Sequence, residues 1–158
     1  MSGPGATATT LDRRLLLMAV ELARRAPSSA TAFSVGAVIA SADGSVLATG
    51  YSRETDQRDH AEEAALSKVE DSDPRLATAT IYSSLEPCSA RASRPRTCTE
   101  LILATRIPRI VFAWREPEVF VRCEGAELLR AAGREVVEVP ELAGLVRATN
   151  AHLLRDES

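Results

Sequence analysis

His60-Ala61-Glu62 stands upstream of Pro87-Cys88 and Cys98. Together they hold an imidazole, a carboxylate and two thiols, in a chain with only two histidines and three cysteines. Zinc takes nitrogen and sulfur ligands in a tetrahedral array, and catalytic zinc sites leave one position to water. His60, Cys88 and Cys98 would give one imidazole and two thiolates, with the thiolates neutralising the formal charge of the ion. Zinc brings a bound water from a pKa of about 15.7 to about 7. That change of about nine units is roughly 12 kcal/mol of easier hydroxide formation. A lone Glu base, with a pKa of about 4.3, cannot provide it.

Glu62 is not needed as a ligand in this set. It is free to carry a proton from the metal water to a ring nitrogen and then to a departing amine, as the non-ligand Glu of zinc deaminases does. Each residue also has a plainer reading. Asp59-x-x-Glu62 is a capping box, in which Glu62 would close a helix N-terminus and His60 would sit in its first turn. Thr97-x-x-Glu100 is a second capping box. This one is compatible with chemistry, because a thiol at a helix start has a lowered pKa and favours the thiolate. Cys88 alone reads as a small buried hydrophobe.

The elements that must position these groups follow from periodicity and breakers. Residues 12–25 carry Leu15, Leu16, Met18, Ala19 and Leu22 at helical spacing, with Asp12 as cap and Pro27 beyond the end. Residues 34–40 and 45–50 are strands joined by an Asp43-Gly44 hairpin signal. A polar loop leads to a helix over 59–70. Strands follow over 78–84, 109–114 and 135–139, with helices over 98–105, capped by Thr97, over 125–132, and over 141–154. A hairpin followed by strands alternating with helices predicts a mixed five-stranded sheet in a three-layer α/β/α arrangement, with the last two strands parallel. Cys88 then lies past the carboxyl end of a strand, with His60 and Cys98 at helix starts, all on the rim where open α/β sheets hold ligands.

The chain has 158 residues, enough for one core, and reads as a single domain over 11–158 after a disordered tail over 1–10. A net charge of -3 argues against a nucleic-acid partner, whose phosphates demand a basic face. No apolar run approaches the ~20 residues that span a bilayer, so no membrane role is expected. An odd cysteine count without an export signal predicts reduced thiols in the cytoplasm. Cys123 reads as structural and His152 as a surface residue.

At the motif residues the chain resembles the cytidine-deaminase superfamily. Thr31-Ala32-Phe33-Ser34-Val35-Gly36-Ala37, Gly50-Tyr51-Ser52-Arg53-Glu54, His60-Ala61-Glu62 and Ser84-Leu85-Glu86-Pro87-Cys88-Ser89 carry the likeness, with Arg91, Thr97-Cys98 and Leu101-Ile102-Leu103. Members usually place two residues between the cysteines, whereas Ser89 to Thr97 intervene here. The longer loop is similar to that of riboflavin-biosynthesis pyrimidine deaminases, with the fungal-type pattern, and Ala32 stands where bacterial bifunctional members usually have Asn. The resemblance implies a cytidine-deaminase-like fold and bound zinc. It further implies His60, Cys88 and Cys98 as ligands, Glu62 as proton shuttle, and association as a homodimer. It does not imply a reductase, for which this length leaves no second domain.

The substrate expected on this resemblance is an aminopyrimidine carrying a ribityl phosphate. Arg91, Arg94 and Arg96 place three cations and no anion between the cysteines, and bidentate guanidinium suits a phosphate; a solvated basic loop is the alternative. Arg53 and Glu54, just ahead of His60, are candidates for the pyrimidine or ribityl hydroxyls. Phe33, Tyr51 and Tyr82 read as core rather than as ring walls, while Trp114 could face substrate or a partner subunit. A cytosine nucleoside or nucleotide, or guanine, would keep the chemistry and change the substrate. A structural zinc module would instead need a fourth protein ligand, for which His152 and Cys123 are the other soft donors.

Overall fold

The computed structural model describes residues 7–89, 96–115 and 124–154. Five strands form one sheet: β1 (Gly36–Ala40), β2 (Val46–Tyr51), β3 (Thr80–Leu85), β4 (Arg109–Trp114) and β5 (Glu135–Glu138). Their order is β2-β1-β3-β4-β5. β1 is antiparallel to both β2 and β3, whereas β3, β4 and β5 run parallel. The expected mixed sheet with its last two strands parallel is what forms.

Alternation along the central strands makes two cores. Ala37, Ile39, Ile81, Leu85, Ile110, Phe112 and Val136 form one with α2 (Ala61–Leu66), α3 (Cys98–Leu103) and α4 (Gly125–Ala131). Val38, Ala40, Tyr82, Val111, Ala113 and Val137 form the other with α1 (Thr10–Ala23) and α5 (Ala143–Thr149). Apolar side chains on both faces leave β1 fully buried, and β2, alternating buried and half-buried residues from Leu47 on, is an edge strand. Gly44, at φ 89°, supplies the left-handed residue of the β1–β2 hairpin.

Several element boundaries differ from expectation. Thr9, not Asp12, is the N-cap of α1, and the helix opens at Thr10, inside the span read as tail. Asp12 occupies the third helical position and accepts from Thr9 N, completing a capping box. Residues 34 and 35 precede β1 because Ser34 N is held by Asn150 and Val35 N by Ser52. The last helix is broken: a 3-10 turn (Pro140–Leu142), α5, and α6 (Ala151–Leu154) replace one continuous run. Asn150 makes the break, its buried amide accepting from Ser34 N and donating to the carbonyls of Ser34 and Val146. A second 3-10 turn (Pro74–Thr78), capped by Asp73, delays β3 to Thr80. Among the described residues no helix is long and apolar enough to cross a membrane.

Asp12 is buried and ties α1 to the sheet: it accepts from Tyr82 Oη at 2.8 Å and from both terminal nitrogens of Arg109 at 2.6 and 2.7 Å. Burial alone would raise its carboxyl. Hydrogen bonds from Arg109, Thr9 and Tyr82, with the Arg109 charge, outweigh burial and hold it at about 2. A depressed folded-state pKa contributes stability above the unfolded value, near 3.9, that is lost as pH falls through the folded one. Acid titration of unfolding free energy should therefore show a loss of about 2 kcal/mol between pH 4 and pH 2 from this group. Asp12→Asn should remove that component and, by leaving Arg109 only the exposed Glu135 as its carboxylate partner, cost about 3 kcal/mol at neutral pH, readable by denaturant melts.

Candidate metal centre and active site

α2 begins at Ala61 with His60 as its cap residue in extended backbone, which turns the imidazole off the helix end. The expected pairing of Asp59 with Glu62 is not the one that forms. Glu63 Oε1 accepts from His60 N at 3.3 Å, while Asp59 instead gathers Thr55 N, Thr55 Oγ1 and Asp56 N in the preceding loop. Glu62 is thereby released from capping and is buried, its Oε2 3.1 Å from Ser83 Oγ on β3. The expected capping box at Thr97 does form: Thr97 Oγ1 accepts from Glu100 N and Thr97 N donates to Glu100 Oε1, opening α3 at Cys98.

The three soft donors converge. His60 Nδ1 lies 3.2 Å from Cys98 Sγ and 3.5 Å from Cys88 Sγ, and the three donor atoms fall within 4.8 Å of one another. A tetrahedral zinc with bonds of about 2.0–2.1 Å to nitrogen and 2.3 Å to sulfur has N–S edges of about 3.5 Å, so the set fits the ion. Cys88 Sγ also accepts from Cys98 N at 3.2 Å, and Cys88 O from Thr99 N at 3.0 Å, so the loop from β3 is fastened to the start of α3. Hydrogen bonding to Cys98 lowers the Cys88 thiol to about 4 against the opposing effect of burial, and His60 adds to the lowering. Burial pushes the Glu62 carboxyl up, the neighbouring Cys88 thiolate pushes it further, and His60 opposes both. Among the described residues the cluster holds these three donors, and His152 is outside it, its Nε2 2.8 Å from Ser29 O. His152 is half-buried rather than the surface residue expected.

The turn that presents Cys88 is braced from behind. Glu86 is buried, accepts from Ala126 N at the start of α4 at 3.0 Å, and lies 3.8 Å from Arg115. Glu86 N donates to Trp114 O at 2.9 Å, and Trp114 meets Phe33 edge to face at 5.8 Å. Gly125 comes so near that a Cβ there would collide with Pro87 O and crowd Thr99 Oγ1. Gly125→Ala must therefore push Pro87, and Cys88 with it. Zinc affinity should fall about tenfold, as for other disturbed metal surroundings, measured by competition with a chromophoric chelator.

The candidate substrate residues are placed as follows. Arg53 takes φ 58°, a left-handed backbone uncommon outside glycine. Its guanidinium donates to Pro27 O at 2.9 and 2.7 Å, Phe33 O at 3.3 Å and Ser34 Oγ at 2.9 Å. Glu54 pairs with Lys68 at 2.6 Å and accepts from Tyr51 N. Both tips are thus engaged with protein groups that shape the loops on either side. Arg96 is exposed. Arg91, Arg94 and Cys123 lie outside the described residues. Tyr82 is core, bonded to Asp12, and Phe33 is buried against Trp114. Ser83 escaped the sequence reading; the available signal was a hydroxyl between Ile81 and Leu85 on an otherwise apolar strand face.

A mixed sheet flanked by helices, with one imidazole and two thiolates on its rim and a buried carboxylate alongside, defines a zinc-site α/β/α domain. Residues 9–114 match the model of the cytidine and deoxycytidylate deaminase zinc-binding region, and the chain belongs to that family. It is 42% identical over 125 residues to the diaminohydroxyphosphoribosylamino-pyrimidine deaminase of Schizosaccharomyces pombe, covering 78% of this chain and 31% of that protein. It spans about a third of the length of this and the other curated relatives, which include the Aquifex aeolicus riboflavin biosynthesis protein RibD at 32% identity. Among solved structures, the Aspergillus oryzae Rib2 deaminase in complex with DARIPP (a C-terminal deletion mutant) superposes with a TM-score of 0.76 at 26% identity, covering 94% of this chain and 95% of that one. Acinetobacter baumannii RibD gives a TM-score of 0.75 at 27% identity, covering 92% and 39%.

Proposed function

We propose that this chain is a zinc-dependent aminohydrolase that replaces an exocyclic amine of a pyrimidine with oxygen from water. The favoured substrate is a diamino-ribitylamino-pyrimidinone 5'-phosphate of riboflavin biosynthesis. The observation that carries the reading is the His60, Cys88 and Cys98 cluster with buried Glu62 beside it. His60, Cys88 and Cys98 hold the ion, which when bound supplies an activated water. Glu62 takes a proton from the nucleophile, delivers it to the ring nitrogen, and serves the departing amine in turn. Burial beside the donor cluster pushes the Glu62 carboxyl up from its ordinary range, which favours proton uptake by this group. The relatives' names, and the DARIPP bound to the Aspergillus structure, favour the pyrimidine of the riboflavin pathway over cytosine nucleosides or guanine.

Arg91, Arg94 and Arg96 are assigned to the substrate phosphate, and Arg53 and Glu54 to the loops beside the ring. Two zinc thiolates suit a reducing, cytoplasmic setting, and a homodimer is the proposed assembly, to be read by sedimentation. The test of substrate is ammonia release by zinc-loaded protein from the ribityl compound, its dephosphorylated form, its ribosyl counterpart, dCMP, cytidine and guanine in parallel. Preference for the ribityl phosphate supports the reading. Turnover of dCMP, cytidine or guanine in its place would move the substrate and retain the chemistry.

A further inference from the structure

Ser83 is fully buried in β3, on the face it shares with Ile81 and Leu85. That face packs against α2, α3 and α4, where alternation calls for an apolar side chain. A hydroxyl taken from water into such a layer costs about 1–3 kcal/mol unless it is hydrogen-bonded. Ser83 Oγ has two partners: Leu85 O at 2.7 Å and Glu62 Oε2 at 3.1 Å. The nearer partner belongs to the chain that leads into Pro87-Cys88. The other is the carboxylate assigned as the proton carrier. Glu62 itself lies on α2, an element whose packing against the sheet fixes its Cα but leaves the torsions of its side chain to be set by contacts at its tip.

We propose that Ser83 is a positioning residue for Glu62: its single O–H donates to Glu62 Oε2 when the carboxylate is ionised, and turns to the Leu85 carbonyl when Glu62 is protonated and donates back to Ser83 Oγ, so one Glu62 oxygen keeps the same partner in both states. This rests on the reading of Glu62 given above. Proton transfer demands a heavy-atom separation of about 2.6–3.2 Å, and reacting geometry is sensitive at the scale of about 1 Å. A carboxylate swinging about its last torsions departs from that range without leaving the site. Removing the hydroxyl leaves the three donors for zinc in place, since the Ser83 hydroxyl is directed to Leu85 O and Glu62 Oε2. The expected signature is a loss in kcat with little change in KM.

The decisive comparison is Ser83→Thr against Ser83→Val, two side chains of nearly equal shape that differ by the hydroxyl. Both variants, with Ser83→Ala and Glu62→Gln, would be checked for zinc content and folded circular dichroism, then assayed on the ribityl-aminopyrimidine phosphate. Ser83→Thr should keep kcat within about threefold of the parent. Ser83→Val and Ser83→Ala should lose about ten- to a hundredfold, a fraction of the ~10²–10⁴ carried by a general acid–base, with stoichiometric zinc. Difference infrared spectra, with Glu62→Gln as the blank, should show the Glu62 carboxyl band displaced in Ser83→Val and not in Ser83→Thr. Zinc-loaded Ser83→Val with the parent kcat and an unmoved band, beside an inactive Glu62→Gln, would overturn the positioning role and leave the role of Glu62 standing. Parent-like turnover by Glu62→Gln would overturn both.

Discussion

Cys88→Ser should leave a folded protein without its metal. Purified parent loaded with zinc should carry one ion per chain, and the variant close to none after gel filtration. The serine hydroxyl, with a far higher pKa than a thiol held at about 4, does not offer an anion at neutral pH. Two donors, His60 and Cys98, would remain 3.2 Å apart. Two protein ligands are fewer than the three of a catalytic zinc site, and activity should fall below detection. Stoichiometric zinc in the variant, measured by plasma emission, would remove Cys88 from the donor set. The metal-free parent should also lose ammonia release and regain it on adding zinc.

Glu62→Gln should give the complementary result, with zinc retained and turnover lost. Gln fills the same volume beside Ser83 and can still meet its hydroxyl, but it cannot take up and return a proton. The kcat is expected to fall by at least about 10³, within the range ascribed to general acid–base groups, while zinc content stays at one per chain. KM should change little if the carboxylate acts mainly between ground and transition states. A variant that lost zinc as well would place Glu62 among the metal's supports instead.

Local structure is legible in the sequence where neighbouring residues supply the partners. Thr97 and Glu100 cap each other three residues apart, and β4 spans Arg109–Trp114 as expected from its apolar run. The convergence of His60, Cys88 and Cys98 was legible from residue type and from the rule that strand ends and helix starts share a rim. What failed depended on partners far away. Asp59 could not be told from His60 as the cap of α2, because the choice is made by Asp59 turning back to Thr55 and Asp56. The break at Asn150 depends on Ser34, 116 residues earlier. The part Arg53 plays in its own loop was equally hidden, since its guanidinium donates to the carbonyls of Pro27 and Phe33, 26 and 20 residues earlier. Ser83 announced itself only as a polar residue in an apolar row, with no indication that Glu62 faced it.

The fold also accounts for why the site is rigid on one side. Cys88 and Cys98 are fastened to each other through Cys98 N and Thr99 N, and Glu86 links the same turn to α4. Arg134 closes the other end of α3 by donating to the carbonyls of Ile102, Leu103, Thr105 and Ile107. Both ends of the short helix that begins at Cys98 are therefore held by side chains or loops from elsewhere in the chain. Such bracing is what keeps donors within the narrow tolerance that a metal site imposes.

Hydrolytic removal of an amine at the site formed by His60, Cys88, Cys98 and Glu62 would carry oxygen from water into the ring. This is read by turnover of the ribityl-aminopyrimidine phosphate in ¹⁸O-enriched water, followed by mass spectrometry of the pyrimidine and assay of ammonia. One ¹⁸O in each product ring and one ammonia per ring converted are expected in zinc-loaded parent and not in Glu62→Gln. Intact substrate with zinc bound, or product formed without ¹⁸O, would contradict it.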